Sequence, residues 1–332
     1  MQIYWQMMLE YWRHVRGWSQ ADLAAAAGVT RQLVAAVEAG RNTPSVSAAL
    51  CLAGALGLTV EAIFGPDRAT PRHLVTGEPL HEGAGVRVGR VGSGQVALPG
   101  GLVDGLVAAD RIELFPDAAP AALVVIGCDP ILELAGALLG RGGRSVMIAH
   151  ASTGLALEAL AAGRTHAALA HGPLGEVRNV PATTRRFHLA AWPVGLAGRA
   201  HLPTLDEVGT RRLRVVQREV GAASQLTLAR ALTSAGVTAR GPIGTSHADV
   251  ARLVAAGAGV VGITTMSAAM ASGLLFQTIE VHQAELWVRN DLGSHGLIDA
   301  FIDTLRSQAF LRRVAATFDG YDLADCGTEL AA

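Results

Sequence analysis

The chain contains no lysine, so all 27 of its basic residues are arginine. With the surplus of alanine and glycine, this reads as the codon usage of a GC-rich genome. It also removes the lysine that a phosphate-binding loop requires, and Gly92-Ser93-Gly94 reads instead as the turn of a β-hairpin. Cysteine is scarce. Cys51, Cys128 and Cys326 stand far apart and follow no metal-ligand spacing, so a reduced, cytoplasmic protein without metal or cofactor is expected. No nucleophile elbow, His-Glu-x-x-His string or pair of catalytic carboxylates occurs, and an enzyme is not expected. Cys128, Asp129 and His171 are the one grouping that an enzymatic alternative draws on. A basic region followed by an apolar run and a small-residue cleavage site is missing at the N-terminus, which argues against a secretory signal. The one long uncharged run, 253–279, is interrupted by Gly257, Gly259, Gly262 and Gly273. It reads as a strand, a turn and a helix rather than as a membrane span.

Charge of one sign is also lacking overall, because 28 acidic residues bring the net charge to −1. Any binding to nucleic acid therefore rests on a local patch, which Arg13, His14, Arg16, Arg31 and Arg41 are placed to form. The 332 residues, half of them hydrophobic, suffice for two or three domains with substantial cores.

The clearest local pattern lies between Arg16 and Ser45. Ser19 stands where an N-cap belongs, with Asp22 in the first turn, and Gly28 supplies the left-handed residue that ends a short helix. Thr30 caps a second helix, on which Leu33, Val34 and Val37 form an apolar stripe and Arg31, Gln32 and Ala35 are left exposed. Gly40 stops that helix. Val46, Ala49, Leu50, Leu52, Ala53, Leu56, Val60, Ile63 and Phe64 then read as two more helices closing the core. Two helices joined by a glycine turn have the geometry of a major-groove reader.

Residues from about 9 to 64 resemble the phage-repressor-like helix-turn-helix family, also called the xenobiotic-response-element family. The resemblance rests on Arg16-Gly17-Trp18-Ser19-Gln20 at one end and Glu38-Ala39-Gly40-Arg41, followed by Pro44-Ser45, at the other. It implies that Gln20, Thr30, Arg31 and Gln32 contact bases or phosphates and that Arg41 and Asn42 touch the DNA backbone. The forked side chains of Arg and Gln suit guanine and adenine edges.

After residue 120 short apolar strands alternate with helices. Strands are expected at 123–127, 145–149, 166–170, 213–217, near Ile243 and at 260–264, with helices from about Pro130, Thr153, Ser224 and His247. That rhythm predicts an α/β architecture with mostly parallel strands. Two further strands, 187–196 and 280–288, link the two groups as a double crossover, and one helix closes the chain at about 298–317. Several strings in this order resemble the periplasmic-binding-protein-like domain, a relative of the molybdate-binding proteins: Gly127-Cys128-Asp129-Pro130, His150-Ala151-Ser152-Thr153-Gly154, Gly163-Arg164-Thr165-His166-Ala167, Gln217-Arg218-Glu219-Val220-Gly221 and Ser246-His247.

The resulting fold class is α + α/β: an all-helical helix-turn-helix domain (1–66), a linker with a β-hairpin (67–120), and a two-lobed type II periplasmic-binding-protein-like domain (121–330). Lobe I takes 121–186 and 281–330, and lobe II takes 197–276. The resemblance implies a ligand cleft lined by strand ends and helix N-termini. Candidate contacts there are Cys128, Asp129, Ser152, Thr153, His171, Arg218, Ser224, Thr245, Ser246 and His247. Each hydroxyl is equally placed to be an ordinary N-cap, Asp129 to cap its own helix, Arg218 to form a salt bridge and each histidine to be structural. The second-lobe string departs from the related family, which usually has Asn-Arg-Gln and then Gly-Ser-Gly-Thr-Arg. Here it is Gln217-Arg218-Glu219 and Gly221-Ala222-Ala223-Ser224-Gln225, so an oxyanion loses donors and a small organic molecule is equally expected. The function that follows is a one-component transcriptional regulator: a homodimer that binds operator DNA and senses a small polar or anionic ligand, with no membrane partner. The alternatives are a constitutive DNA-binding protein whose second domain serves assembly, and an enzyme with a regulatory DNA-binding domain.

Overall fold

The computed structural model describes residues 9–10, 12–14, 16–64, 72–92, 94–101, 103–108, 111–141, 145–173 and 184–330. They fall into two compact units, Met1–Val124 with Arg144–Met147 and Asn290–Ala300, and Val125–Gly143 with Ile148–Arg289 and Phe301–Ala332.

The first unit opens with helices α1 (Gln20–Ala27), α2 (Arg31–Glu38), α3 (Val46–Leu56) and α4 (Val60–Phe64). Their ends follow from local chemistry. Ser19 Oγ accepts from Asp22 N at 3.2 Å while the Asp22 carboxylate accepts from Ser19 N at 2.8 Å, a reciprocal capping box. Gly28 closes α1 at φ 63°, and Thr30 and Ser45 cap α2 and α3. Leu9, Trp12, Leu23, Val34, Val37, Leu52, Leu56 and Ile63 form one core. Val46 and Leu50, expected in that core, are 79% and 59% exposed instead. They lie four residues apart on α3, next to Ala49 and Ala53 in helical phase, at the edge of the face that Leu52 and Leu56 bury.

The same unit holds a five-stranded sheet in the order β1-β3-β2-β4-β5, made of β1 (Arg72–His73), β2 (Gly85–Val91), β3 (Gly94–Pro99), β4 (Gly105–Ala108) and β5 (Arg111–Leu114). The expected hairpin is β2–β3, an antiparallel pair that ends at Val91↔Gly94; Ser93 of the expected turn lies outside the described residues. The other three strands carry too few alternating residues to announce themselves.

The larger sheet has the order β11-β10-β12-β9-β13-β8-β6-β7. In chain order its elements, with the helices between them, are β6 (Leu123–Gly127), α5 (Ile131–Gly140), β7 (Val146–His150), α6 (Thr153–Ala161), β8 (Ala167–Pro173) and β9 (Thr184–Gly198). They continue with α7 (Leu205–Thr210), β10 (Val215–Arg218), α8 (Ala223–Ser234), β11 (Ile243–Gly244), α9 (His247–Ala255), β12 (Val261–Thr265), α10 (Met266–Ala271) and β13 (Leu275–Arg289). The expected mostly parallel sheet is corrected to a mixed one. β10 pairs in parallel with β11 and β12, and β6 with β8, but β12, β9, β13 and β8 are joined by antiparallel ladders. The two linking strands are longer than their apolar stretches and pair from Thr184↔Arg289 to Gly198↔Leu275, which sets an antiparallel centre between parallel flanks. The single closing helix is in fact two, α11 (His295–Arg306) and α12 (Gln308–Thr317), because Ser307 Oγ accepts from Phe310 N at 3.2 Å and starts a new helix. The uncharged run resolves into the end of α9, β12, α10 and the start of β13. Among the described residues no helix is long and apolar enough to cross a membrane.

One glycine is required by the central pairing. A Cβ on Gly195 of β9 would overlap the Gln277 carbonyl oxygen and carbon of β13, next to the register shift between Thr278 and Glu280. Gly195→Ala is therefore expected to lower stability by about 1–3 kcal/mol through forced backbone displacement. Urea unfolding followed by far-ultraviolet circular dichroism checks this, and an unchanged midpoint would mean that the strands yield without cost.

Candidate functional site

The helix-turn-helix unit presents α2 with Arg31 and Gln32 exposed at its first turn and Arg41 and Asn42 exposed just beyond its end. Thr30, also exposed, uses its hydroxyl to accept from Leu33 N at 3.2 Å. Three residues of the expected DNA-facing set are otherwise engaged. Arg13 is buried, with Nε and Nη2 on the Glu38 carboxylate at 2.6 and 3.0 Å and Nη1 on the Trp18 carbonyl at 2.8 Å. Gln20 donates from Nε2 to the same carboxylate at 2.9 Å. Arg16 donates to the Leu56 carbonyl at 2.6 Å. The Arg13 and Gln20 bonds tie the C-terminal end of α2 to the start of α1 and to Arg13 ahead of it. A forked Arg–carboxylate pair of this kind fixes orientation as well as position. The local patch thus reduces to Arg31 and Arg41, with His14 and Arg16 exposed nearby in sequence.

In the second unit the strand pairing gathers a buried polar cluster. His171 lies on β8 opposite Ala284 of β13, which makes His282 its diagonal neighbour on the same face, and His282 is in turn the register partner of Trp192 on β9. The ring centroids of His171 stand 5.0 Å from His282, 5.5 Å from Trp192 and 5.8 Å from His247, the first residue of α9. Cys128, which follows β6, completes the group: one ligating atom from each of Cys128, His171 and His247 lies within 4.8 Å of the others. No sequence spacing announces this trio, because its members come from three separate elements.

A polar chain backs the cluster. His282 Nε2 stands 2.8 Å from Glu280 Oε1 and 2.9 Å from Thr227 Oγ1, and its Nδ1 stands 2.8 Å from His171 Nδ1. Nε2–H of His282 donates to the carboxylate, and whenever His282 is neutral its Nδ1 accepts from Nδ1–H of His171, which leaves His171 Nε2 as the proton-free nitrogen. Burial pushes the Glu280 carboxyl up, but hydrogen bonds from Thr227 and His282 outweigh it and hold the group below the usual carboxylate range. The His247 imidazole is driven well below its ordinary value, chiefly by burial and then by the charges of Arg218 and His282. Burial, followed by the neighbouring Asp129 charge, pushes the Cys128 thiol up to about 12.

The remaining expected ligand residues divide. Asp129 caps its own helix, accepting from Ile131 N at 3.0 Å, and its second oxygen accepts from Tyr321 Oη. Arg218 is buried and salt-bridged to Glu219 through Nε at 2.9 Å, with Nη2 on the Thr245 carbonyl at 3.3 Å. Thr153 Oγ1 accepts from His171 N at 3.3 Å, while Ser152 occupies the N-cap of α6 without a side-chain cap bond. Thr245 is exposed and bonded to Asp249, and Ser246 caps α9 by accepting from Asp249 N at 3.0 Å. Ser224 is fully buried one turn before Thr227. Its Oγ, Trp192 Nε1 and both ring nitrogens of His247 have no hydrogen-bond partner among the described residues. Trp192, Thr227, Glu280, His282 and Tyr321 escaped the sequence reading. The one signal for them was Glu280 and His282, two residues apart and so on one face of a strand. Two open depressions, of about 620 Å³ beside Asp206, Arg212 and Val237 and about 340 Å³ beside His188, Gln283 and Asp322, include none of these cluster residues.

Comparison with known proteins bears on both units. A model of the PBP superfamily domain matches residues 136–306, just over half of the chain. The chain belongs to the PBP superfamily. A helix-turn-helix model matches residues 12–63, ahead of the PBP domain. An uncharacterised HTH-type transcriptional regulator of Methanocaldococcus jannaschii is 39% identical over 56 residues, which cover 17% of this chain and 85% of that protein. Among solved structures, a phosphate ABC transporter substrate-binding protein of Clostridium perfringens aligns with 59% of this chain and 97% of its own, at 12% identity and a TM-score of 0.48. The CcmR regulatory domain of Synechocystis PCC6803 aligns with 60% and 98%, at 12% identity and a TM-score of 0.45.

The buried carboxyl of the PBP domain gives a pH signature. Burial lifts Asp129 from an ordinary 3.8 to about 6, against the lowering effect of its bonds from Tyr321 and Ile131. A raised acid favours the folded state only while it is protonated, so its contribution falls as pH rises from about 3.8 to about 6, the reverse of a salt-bridged carboxylate. Wild type minus Asp129→Asn should lose no more than about 3 kcal/mol of stability between about pH 4 and pH 7. Thermal unfolding at several pH values measures that difference, and a flat or rising difference would contradict the assignment.

Proposed function

We propose that the chain is a one-component transcriptional regulator, a homodimer whose helix-turn-helix units bind operator DNA and whose PBP domains hold a small effector at the Cys128–His171–His247 cluster. One observation carries the reading. In the same chain as an exposed reading helix, Ser224 Oγ, Trp192 Nε1 and both nitrogens of His247 are buried without partners among the described residues. A buried polar group left unsatisfied costs about 1–3 kcal/mol, which a bound partner would offset. The reading is of a binding protein, with chemistry on the effector playing no part.

On the DNA side, Arg31 and Gln32 stand at the first turn of α2, where the N-terminal residues of a recognition helix meet base edges. Arg41 and Asn42 serve the backbone, Thr30 chiefly caps, and Gln20 holds Glu38 in place. Two half-sites about 34 Å apart call for a dimer. Effector binding alters operator affinity only to the extent that the DNA-binding and non-binding states hold the effector unequally. Selection of binding sites from random DNA, followed by fluorescence anisotropy, tests the proposal. Arg31→Ala should weaken the selected site by about 5- to 150-fold, the worth of one bidentate base contact. Arg31→Ala and Gln32→Ala variants that bind as wild type would remove α2 from the reading role.

A further inference from the structure

The reading of the cluster as an effector site leaves the chemistry of the effector open, and the donor set narrows it. Resting on that reading, we propose that Cys128, His171 and His247 bind a single monovalent copper ion. The donors are one sulfur and two imidazole nitrogens, a set that selects soft or borderline metal ions over oxygen-seeking ones. Their ligating atoms lie within 4.8 Å of one another. Bond lengths of about 2.0–2.3 Å would bring such donors to about 3.5 Å apart, so the trio needs to close by about 1 Å. His247 is the independent pointer. It is 5% exposed, it faces the His171 ring, and neither of its nitrogens has a hydrogen-bond partner among the described residues.

Charge and coordination number choose the ion. On binding, the Cys128 thiol releases its proton to solvent and the sulfur takes the metal, so Cu+ and the thiolate together leave the buried site neutral. Zinc would leave it positive and would require a fourth ligand. Arg218, whose charge reaches Cys128 and His247, is paired with Glu219 at 2.9 Å. Behind the trio, Glu280 and His282 orient His171 with Nε2 as its metal-facing nitrogen, an outer-shell arrangement of the kind that holds metal-ligating histidines. His282 is thus a positioning residue rather than a ligand.

The test uses full-length protein, reduced and kept free of oxygen, titrated against the purple complex of Cu+ with bicinchoninate. Wild type should bleach one equivalent. Cys128→Ser and His247→Gln should each weaken capture by about 100-fold or more, and His282→Gln by about 10- to 100-fold, with unchanged circular dichroism. Cys51→Ser, altering an exposed thiol, should change nothing. Failure of wild type to take copper overturns the proposal without recourse to any variant. So does capture that survives intact in Cys128→Ser and His247→Gln, or displacement of the copper by equimolar Zn2+. Anisotropy on the selected operator, with and without Cu+, separates the two readings. Capture that leaves operator affinity unchanged sustains the metal site and overturns the effector role.

Discussion

The long antiparallel pairing of β9 with β13 is the constraint on which the candidate site depends. It runs from Thr184↔Arg289 to Gly198↔Leu275 and sits between two sets of parallel strands. Because alternate residues of a strand share a face, the register that sets Trp192 beside His282, together with the β13–β8 register, places His171, His282 and Trp192 on one side of the sheet. The strand end at Cys128 and the helix start at His247 then meet that face. A slip of one residue would turn these side chains to the opposite side. The close backbone approach at Gly195 and the register shift beside Glu280 are features of the same pairing.

Polar groups in the two units are treated differently. In the helix-turn-helix unit the buried charges are matched: Arg13 meets Glu38 in a forked pair, and Gln20 supplies a further donor. Leaving either partner alone inside the core would expose the full desolvation penalty of a charge, so this network holds α2 in one orientation. In the second unit, Glu280, His282 and His171 form a connected chain, yet the chain ends on a trio that contains an unsatisfied His247. A matched network stabilises by itself. His247 is left without a hydrogen-bond partner among the described residues, and the proposed binding role of the trio rests on that contrast.

Legibility in the sequence followed distance along the chain. Ser19, Gly28 and Thr30 act on backbone groups within a few residues, so the bounds of α1 and α2 could be read directly from residue types. The αβ rhythm was legible for the same reason. The antiparallel centre of the sheet was not, since strand direction is set by pairing between residues about 100 apart. Cys128, His171 and His247 stood out singly from their place beside strand ends and helix starts, but their meeting depends on the register of distant strands. His282 lay in the middle of a strand and carried no local mark except its spacing from Glu280. Arg13 shows the converse error: as a surface arginine it reads as part of a basic patch, and only the position of Glu38, 25 residues later, reveals the buried pair. Val46 and Leu50 looked like core because their apolar character and spacing match their neighbours Ala49 and Ala53, yet they stand exposed at the edge of that face.

The account stands on the buried trio being made for a guest. Native mass spectrometry of the full chain, isolated from its own host without chelators, tests that directly. It should find a bound species in wild type that is missing from a His247→Ala protein of unchanged fold. A wild-type chain that flies bare under conditions preserving other weak complexes would contradict the account.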